Sequence, residues 1–419
     1  MSDSPPLSEA TEAQIAEIGR ADLLVGIPSY NNARTIGHVV RAAAGLNKYF
    51  PDAKAVIVTS DGGSTDGTQE IVARAELPDL ATILVAHPTT PIARIVTPYH
   101  GIPGKGSAFR TLFQIADRLQ ARACAVVDSD LRSIRPGWME LLLRPILGGR
   151  FDYVAPLYQR HKFDGTITNS IVYPLTRALY GVRIRQPIGG EFGFSGTLAR
   201  LFLSRPVWET DVARFGIDIW ITTTAVAEGF RVCQVYLGAK MHDAKDPGGD
   251  LAAMMTQVVG SCFDLLESYA PVWRGVRGSQ PVPLLGFPHA VGVEPIRVDV
   301  ERMIAICRQG LNDLGELWAK VLSNGALAAL HEAAGAAPPQ YRMGDAVWAE
   351  VVYRFAVAHH RKILPRDHLL RSLIPLYLGR TASFVLETWE AGPEEVEARI
   401  EVLAATFEEA KPLLETEWR

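Results

Sequence analysis

Three times in the first 130 residues a short, β-branched apolar run stops at a polar or acidic residue. The runs are residues 23–30 (LLVGIPSY), 55–60 (AVIVTS, leading into Asp61) and 123–127 (ACAVV, leading into Asp128-Ser129-Asp130). Continuous apolar runs of this length are what strands buried on both faces of a parallel sheet look like. Helix-like stretches between them imply right-handed βαβ crossovers and a doubly wound α/β sheet. Ligands of such open sheets bind beyond the carboxyl ends of the strands. This chain places Ser29 and Asn31, Asp61, and the Asp128/Asp130 pair at those ends.

The pattern predicts a frayed arm over 1–20 with a short helical piece, then a helix capped by Asn31 or Asn32 and running to about 50. A helix over 69–75, a third strand over 81–86 and a structureless Pro/Thr-rich loop over 87–103 follow. Helices are expected from Lys105, from Pro136-Gly137-Trp138, over 166–180 and over 212–229, with strands over 152–159 and 232–238. Past residue 246 strand signals stop and Leu/Ala/Glu-rich helices continue to the end. The expected organisation is an N-terminal arm (1–20), a mostly parallel, Rossmann-like α/β domain (21–245) and a mainly α-helical C-terminal domain (246–419).

The chain has 419 residues, 48% of them hydrophobic and 21% charged, with a formal net charge of −4. That is the composition of a soluble globular protein, and it lacks the basic blocks that track nucleic acid. No apolar run approaches the ~18 residues of a membrane span. Cys124, Cys233, Cys262 and Cys307 are scattered, which argues against a disulfide framework or thiolate zinc site and fits a reducing cytoplasm. The polar, acidic N-terminus is no signal peptide.

Two carboxylates one residue apart at a strand's end make a site for a hard cation whose open positions take substrate oxygens. Lys105, in Pro103-Gly104-Lys105-Gly106, starts a helix, where the macrodipole opposes a cation unless an anion is bound beside it. The upstream glycine spacing of a Walker loop is missing. Gln186-Pro187-Ile188-Gly189-Gly190-Glu191 reads as a glycine-hinged acidic turn, and Asp218 lies among Ile217, Ile219 and Trp220. His242 follows the last strand.

The motifs VDSD (127–130), PGKG (103–106), QPIGGE (186–191) and FGIDIW (215–220), with His242 downstream and MGDAVW (343–348) in the tail, resemble a family of retaining GT-A glycosyltransferases. That family comprises the mannosylglycerate, glucosylglycerate and glucosyl-3-phosphoglycerate synthases. The resemblance implies a nucleoside-diphosphate hexose donor, GDP- or UDP-linked, and Mg2+ or Mn2+ on Asp130 and His242, with Asp128 holding the ribose or the metal's water shell. Pro28, Ser29, Tyr30, Asn31, Asp61, Lys105, Asp128 and Ser129 would line the nucleotide. Gly189, Gly190, Glu191, Phe215 and Asp218 would line the sugar, with Arg160 and Thr168 on the acceptor.

Lys105, Glu191 and Asp218 are the expected catalytic residues. Phosphoglycerate-using relatives carry an arginine where this chain has Tyr173, which favours D-glycerate or a similar 2-hydroxy acid over 3-phosphoglycerate. Retention would follow either from a covalent intermediate, with Asp218 the nearby candidate, or from front-face attack. A homodimer in the cytoplasm is the default expectation. The competing readings are the phosphoglycerate synthase, an inverting polysaccharide or lipid-linked transferase, a nucleotidyltransferase and a non-catalytic nucleotide-sugar binder.

Overall fold

The computed structural model describes residues 7–75, 93–98, 104–241, 250–288 and 291–418. It divides into two compact units. One comprises Met1–Gln159, Gln186–Lys245 and Val282–Val293; the other comprises Arg160–Arg185, Asp246–Pro281 and Glu294–Arg419.

In the first unit, helix α1 (Glu9–Ile18) is capped by the Ser8 hydroxyl and leads to β1 (Leu23–Ser29). Then come α2 (Ile36–Ala44), β2 (Ala55–Asp61), α3 (Thr68–Arg74), β3 (Ala93–Pro98), α4 (Lys105–Arg118), β4 (Ala123–Val126), α5 (Gly137–Leu147) and β5 (Tyr153–Gln159). After α6 (Tyr173–Tyr180) and β6 (Val182–Arg183), which belong to the second unit, the first resumes with β7 (Phe192–Ser195), α7 (Gly196–Ser204), α8 (Ile217–Ala227) and β8 (Val232–Ala239). With β9 (Gln280–Pro281) and β10 (Leu284–Leu285) named, the main sheet among the described residues runs β10-β8-β5-β7-β4-β1-β2-β3. Every pairing in it is parallel except those of β7, which is antiparallel to both β4 and β5.

Strands β1, β2 and β4 are buried along their whole length, as their unbroken apolar runs require. One cluster joins Val25, Ile27, Ile57, Ala125 and Val235 to Val39, Val40, Leu142 and Ile146 of α2 and α5. A second, aromatic group brings Phe113 of α4 against Phe194, Phe202 and Trp208, with Trp220 tilted against Phe202 and edge-on to Trp208.

Several local expectations change. The predicted strand over 81–86 lies outside the described residues. The strand that pairs with β2 is β3, inside the stretch expected to be structureless, with Val56 to Asp61 opposite Ala93 to Pro98. Arg-Ile-Val-Thr there has strand character that the surrounding prolines obscured. Asn31 and Asn32 do not cap α2; its N-cap is Thr35, and the asparagines tie neighbouring loops together instead. The helix expected over 166–180 opens with a π-type turn (Thr168–Val172), and the one expected over 212–229 splits into a short 3-10 turn (Asp211–Ala213) and α8.

The second unit is helical, with α9 (Asp250–Ser268), α10 (Ala270–Gly275), α11 (Val300–Trp318), α12 (Asn324–Gly335), α13 (Asp345–His360), α14 (Arg366–Ser372), α15 (Ile374–Glu387) and α16 (Pro393–Glu417). The sequence places one boundary near 246; the structure also assigns 160–185 to this unit. The reason lies in α6, which is buried throughout its length. Tyr173 packs with Phe384, Val396, Ile400 and Ala404, and Arg177 pairs with Glu401 and Glu408 at 2.6 Å each. Tyr377 and Arg380 are buried structural groups. Tyr377 bonds Thr166 at 2.5 Å, and Arg380 pairs with Asp345 at 2.7 Å.

Candidate functional site

At the carboxyl ends of β1, β2 and β4 the loops are stitched together by side chains. Ser29 Oγ donates to Asp61 Oδ1 (3.0 Å), Asn31 N–H to Ser64 Oγ (2.8 Å), and Thr65 N–H to Asn31 Oδ1 (2.9 Å). Ser129 Oγ donates to Asn32 Oδ1 (2.7 Å), and its carbonyl accepts from Thr35 Oγ1 (2.7 Å). Asn31 accordingly takes a left-handed φ of 52°, which asparagine tolerates. Ser29, Asn31, Asp61 and Ser129 thus lie together, with Pro28 beside Ser60 in the β1/β2 register. Tyr30 projects from this edge, 62% exposed.

Asp61 is buried and accepts from Ser29, Gly63 N–H, Ser64 N–H, Ser64 Oγ and Gln69 Nε2. Burial pushes its pKa up, but the hydrogen bonds led by Ser64 outweigh that and hold it below the ordinary value. A carboxylate offers about four lone-pair sites, so these donors fill it. Asp61 organises the loop, and a nucleobase edge would have to displace one of them.

Beneath this rim lies a cluster of buried charge. Lys105 Nζ sits 2.8 Å from Asp128 Oδ1 and 3.0 Å from Asp218 Oδ2. Lys240 Nζ sits 3.0 Å from Asp128 Oδ2, 2.9 Å from each Glu191 oxygen and 2.7 Å from the Gly189 carbonyl. Tyr158 OH also donates to Glu191, which is fully buried. Gly190 turns the chain here at φ +96°, and a Cβ on it would meet Asp128 Oδ2 at 2.3 Å.

Burial opposes the charge of Lys105, yet Asp128 and Asp218 hold its pKa above the ordinary lysine value. Burial raises Asp218, against Lys105, and pushes Glu191 up to about 7 against the pull of Lys240. Asp218 Oδ1 is a buried acceptor without a hydrogen-bond partner among the described residues. Phe215, half-buried, precedes the turn that starts α8.

The glycines around Lys105 do not cradle an anion. A Cβ at Gly106 would lie 1.8 Å from the Val212 carbonyl, and one at Gly104 2.6 Å from that of Ala213. They let the start of α4 pass against the 211–214 loop, and the anions Lys105 holds are protein carboxylates.

The chemistry of the expected metal set, carboxylate oxygens and an imidazole, fits Mg2+ or Mn2+. Asp130 is half-buried beside Ser129. Both oxygens of Asp128 are already held by ammonium groups, which speaks against its direct ligation. His242 lies outside the described residues. Met241 before it is anchored, donating to Ser133 Oγ (3.0 Å) and accepting from Arg132 N–H (2.9 Å). Among the described residues no group of three or more His, Cys, Asp or Glu side chains forms a metal cage.

In the helical unit, Arg160 and Thr168 converge. Arg160 Nη1 and Thr168 Oγ1 lie 3.8 and 3.9 Å from the position a Gly165 Cβ would take. Lys162, in the same basic run, instead donates to the carbonyls of Thr388, Trp389 and Ala391. Sequence reasoning missed Lys240, Tyr158 and β7. A lysine just past a strand carries no local signal; only its place two residues before His242 could have drawn attention.

Residues 24–195 match the family model of glycosyl transferase family 2. Over 150 residues the chain is 30% identical to glucosyl-3-phosphoglycerate synthase of Persephonella marina; the match covers 32% of this chain and 36% of that relative's length. Solved structures of glucosyl-3-phosphoglycerate synthase from Mycobacterium tuberculosis are similar. One, with Mn2+, UDP and phosphoglyceric acid, is 21% identical over 63% of this chain and 84% of its own, with a TM-score of 0.44. Another, with Mg2+ and UDP, is 21% identical over 62% and 84%, also at 0.44. The segment from residue 24 to 195 is thus similar to glycosyl transferase family 2, within a GT-A, mostly parallel α/β fold followed by a mainly helical C-terminal region.

Proposed function

We propose that the chain is a divalent-metal-dependent, retaining hexosyltransferase. It moves glucose or mannose from a UDP- or GDP-linked donor to D-glycerate or a similar 2-hydroxy acid, making a glycosylglycerate compatible solute. It works in the cytoplasm, as a homodimer; no helix among the described residues is long and apolar enough to cross a membrane. The observation that carries this reading is the buried cluster of Lys105, Asp128, Lys240, Glu191 and Asp218 at the carboxyl edge of a family 2 domain.

The exposed ring of Tyr30 stacks on the base, and the stitched loops of 28–31, Asp61 and Ser129 hold the ribose side. Asp130 and His242 hold Mg2+ or Mn2+, which supplies a Lewis acid for the leaving diphosphate. Lys105 presents a fixed positive charge at the developing phosphate charge, preorganised by its two carboxylates. The 189–191 turn and Asp218 Oδ1, which has no hydrogen-bond partner among the described residues, accept sugar hydroxyls. Front-face attack asks less of these residues than a covalent intermediate, because Asp218 is already paired with Lys105.

On the acceptor side the Arg160 guanidinium matches a carboxylate in a planar fork. At position 173 the tyrosine donates to Glu401 (2.5 Å), and the neighbouring Arg177 and Arg185 are paired with glutamates. Among the described residues the cations beside Tyr173, Arg177 and Arg185, are committed to glutamates, which favours D-glycerate. The name of the Persephonella marina relative favours the second reading, transfer to 3-phosphoglycerate. Purified chain is incubated with UDP-glucose or GDP-mannose, Mg2+ or Mn2+, and each acceptor, with products read by mass spectrometry. A higher kcat/KM for glycerate supports the first reading and a higher value for 3-phosphoglycerate the second. Donor cleavage with no pair refutes both.

A further inference from the structure

Lys240 is the residue just past β8, and its side chain is 6% exposed. Its backbone N–H reaches the Gln159 carbonyl at the end of β5 (3.4 Å), and the next residue is anchored to the loop after Asp130. From this fixed base its ammonium gathers two separate pieces of chain: the first aspartate of the DSD motif and, in the 189–191 turn, the Gly189 carbonyl with both oxygens of Glu191. The Tyr158 ring lies 5.5 Å away. The fit leaves no room for a side chain at Gly190, whose Cβ would come within 2.8 Å of Nζ.

We propose that Lys240 is a positioning residue. It locks the Asp128 carboxylate and the 189–191 turn into one rigid piece, so that Asp128 serves as an anchor. The idea rests on the transferase reading for its consequence in turnover. Its structural content stands apart from that reading. A lysine suits the task because a compact ammonium with three donors bridges carboxylates that approach from different directions, which a planar guanidinium matches less well. If Lys240 only neutralised buried Glu191, its loss would be masked once that carboxylate was made neutral. If it also holds Asp128, a deficit remains.

The test compares the full chain with Lys240→Met, Lys240→Arg, Glu191→Gln and the Lys240→Met/Glu191→Gln double variant. The readouts are hydrogen exchange, Mn2+·UDP binding by calorimetry, and kcat and KM separately. In Lys240→Met, exchange over 186–192 rises at least ~10-fold while the 123–126 strand stays protected. Turnover falls about 100-fold, with the donor KM within ~3-fold, the split expected when preorganisation rather than binding is lost. Lys240→Arg keeps a positive charge and recovers part of both readouts.

If Lys240→Met fails to fold because Glu191 is stranded, the double variant removes that charge. It is expected to be at least ~10-fold slower than Glu191→Gln alone and more open at 186–192. A double variant indistinguishable from Glu191→Gln, or a folded Lys240→Met with wild-type exchange, overturns the proposal. Failure of the transferase reading looks different: a wild type that cleaves no donor, in which the exchange comparison still decides the role of Lys240.

Discussion

Replacing Gly190 by alanine separates two costs that the structure puts at one position. At φ +96° an L side chain is strained by ~1–2 kcal/mol. The added Cβ would also sit 2.3 Å from Asp128 Oδ2 and 2.8 Å from Lys240 Nζ, so the ion pair between them has to open. Breaking a buried pair costs ~3–5 kcal/mol. Asp128 is 23% exposed, which lowers the figure here to ~2–4 kcal/mol.

Gly63 is the matched control: φ is +87° and nothing lies within 4 Å of its Cβ position, so Gly63→Ala carries the strain alone. Thermal unfolding reads the difference, at ~2–4 °C per kcal/mol for a unit of this size. Gly190→Ala should melt at least ~4 °C below Gly63→Ala. Shortening Lys240 to alanine should cost less in the Gly190→Ala background than in the wild type, because its pair with Asp128 is already open there. Equal shifts for the two alanine variants would refute the claim that Lys240 and Asp128 are packed against the turn.

Tyr30→Ala should raise the donor KM by roughly 5- to 100-fold with kcat little changed, because base–aromatic stacking is worth ~1–3 kcal/mol; steady-state kinetics with varied donor checks it. Asp130→Asn should weaken Mn2+ binding in the presence of UDP by about 100-fold or more and Asp128→Asn by less, read by titration calorimetry. The Glu191 carboxyl is pushed by burial from an ordinary value of 4.5 up to about 7, so folding favours its protonated form between those two values. Its contribution to stability is therefore full below about 4.5 and lost as pH rises towards 7, and Glu191→Gln should flatten the stability profile across that window.

What the chain revealed in advance was whatever is encoded locally. The apolar runs that become β1, β2 and β4 carry their own burial signal, and each ends on the polar residue that faces the site, so Ser29, Asp61 and Asp128 could be placed without coordinates. β7 could not. It is four residues long and is defined by its neighbours, since Phe192 to Ser195 pairs with β4 and with β5, strands that precede it by dozens of residues. Asp61 was legible as a strand-end residue but not as a filled one, because four of its five donors come from the turn geometry of 63–69. The assignment of 160–185 to the helical unit depends on glutamates more than 200 residues away. Lys240 is the strongest case: its meaning resides wholly in partners at 128, 189 and 191.

On the transferase reading, the same cluster makes donor and metal binding interdependent. Among the described residues, Asp128, Glu191 and Asp218 supply three carboxylates and Lys105 and Lys240 two ammonium groups, one negative charge in excess when all are ionised. A diphosphate brings roughly two to three more negative charges into a place where the effective dielectric is well below that of water. Both lysines are already turned to carboxylates and can offer the phosphate only part of their field. A divalent cation therefore has to arrive with the nucleotide, and UDP should bind ~100-fold or more tightly with Mn2+ than in chelator, a coupling of about 3 kcal/mol. Asp128→Asn sharpens the argument by reversing a sign. It removes one negative charge and leaves each ammonium group with one carboxylate partner fewer, so UDP binding without metal should strengthen relative to wild type while turnover falls. Equal UDP affinity with and without Mn2+, or weaker metal-free binding in Asp128→Asn, would show that the lysines and not the metal already answer the charge of the diphosphate.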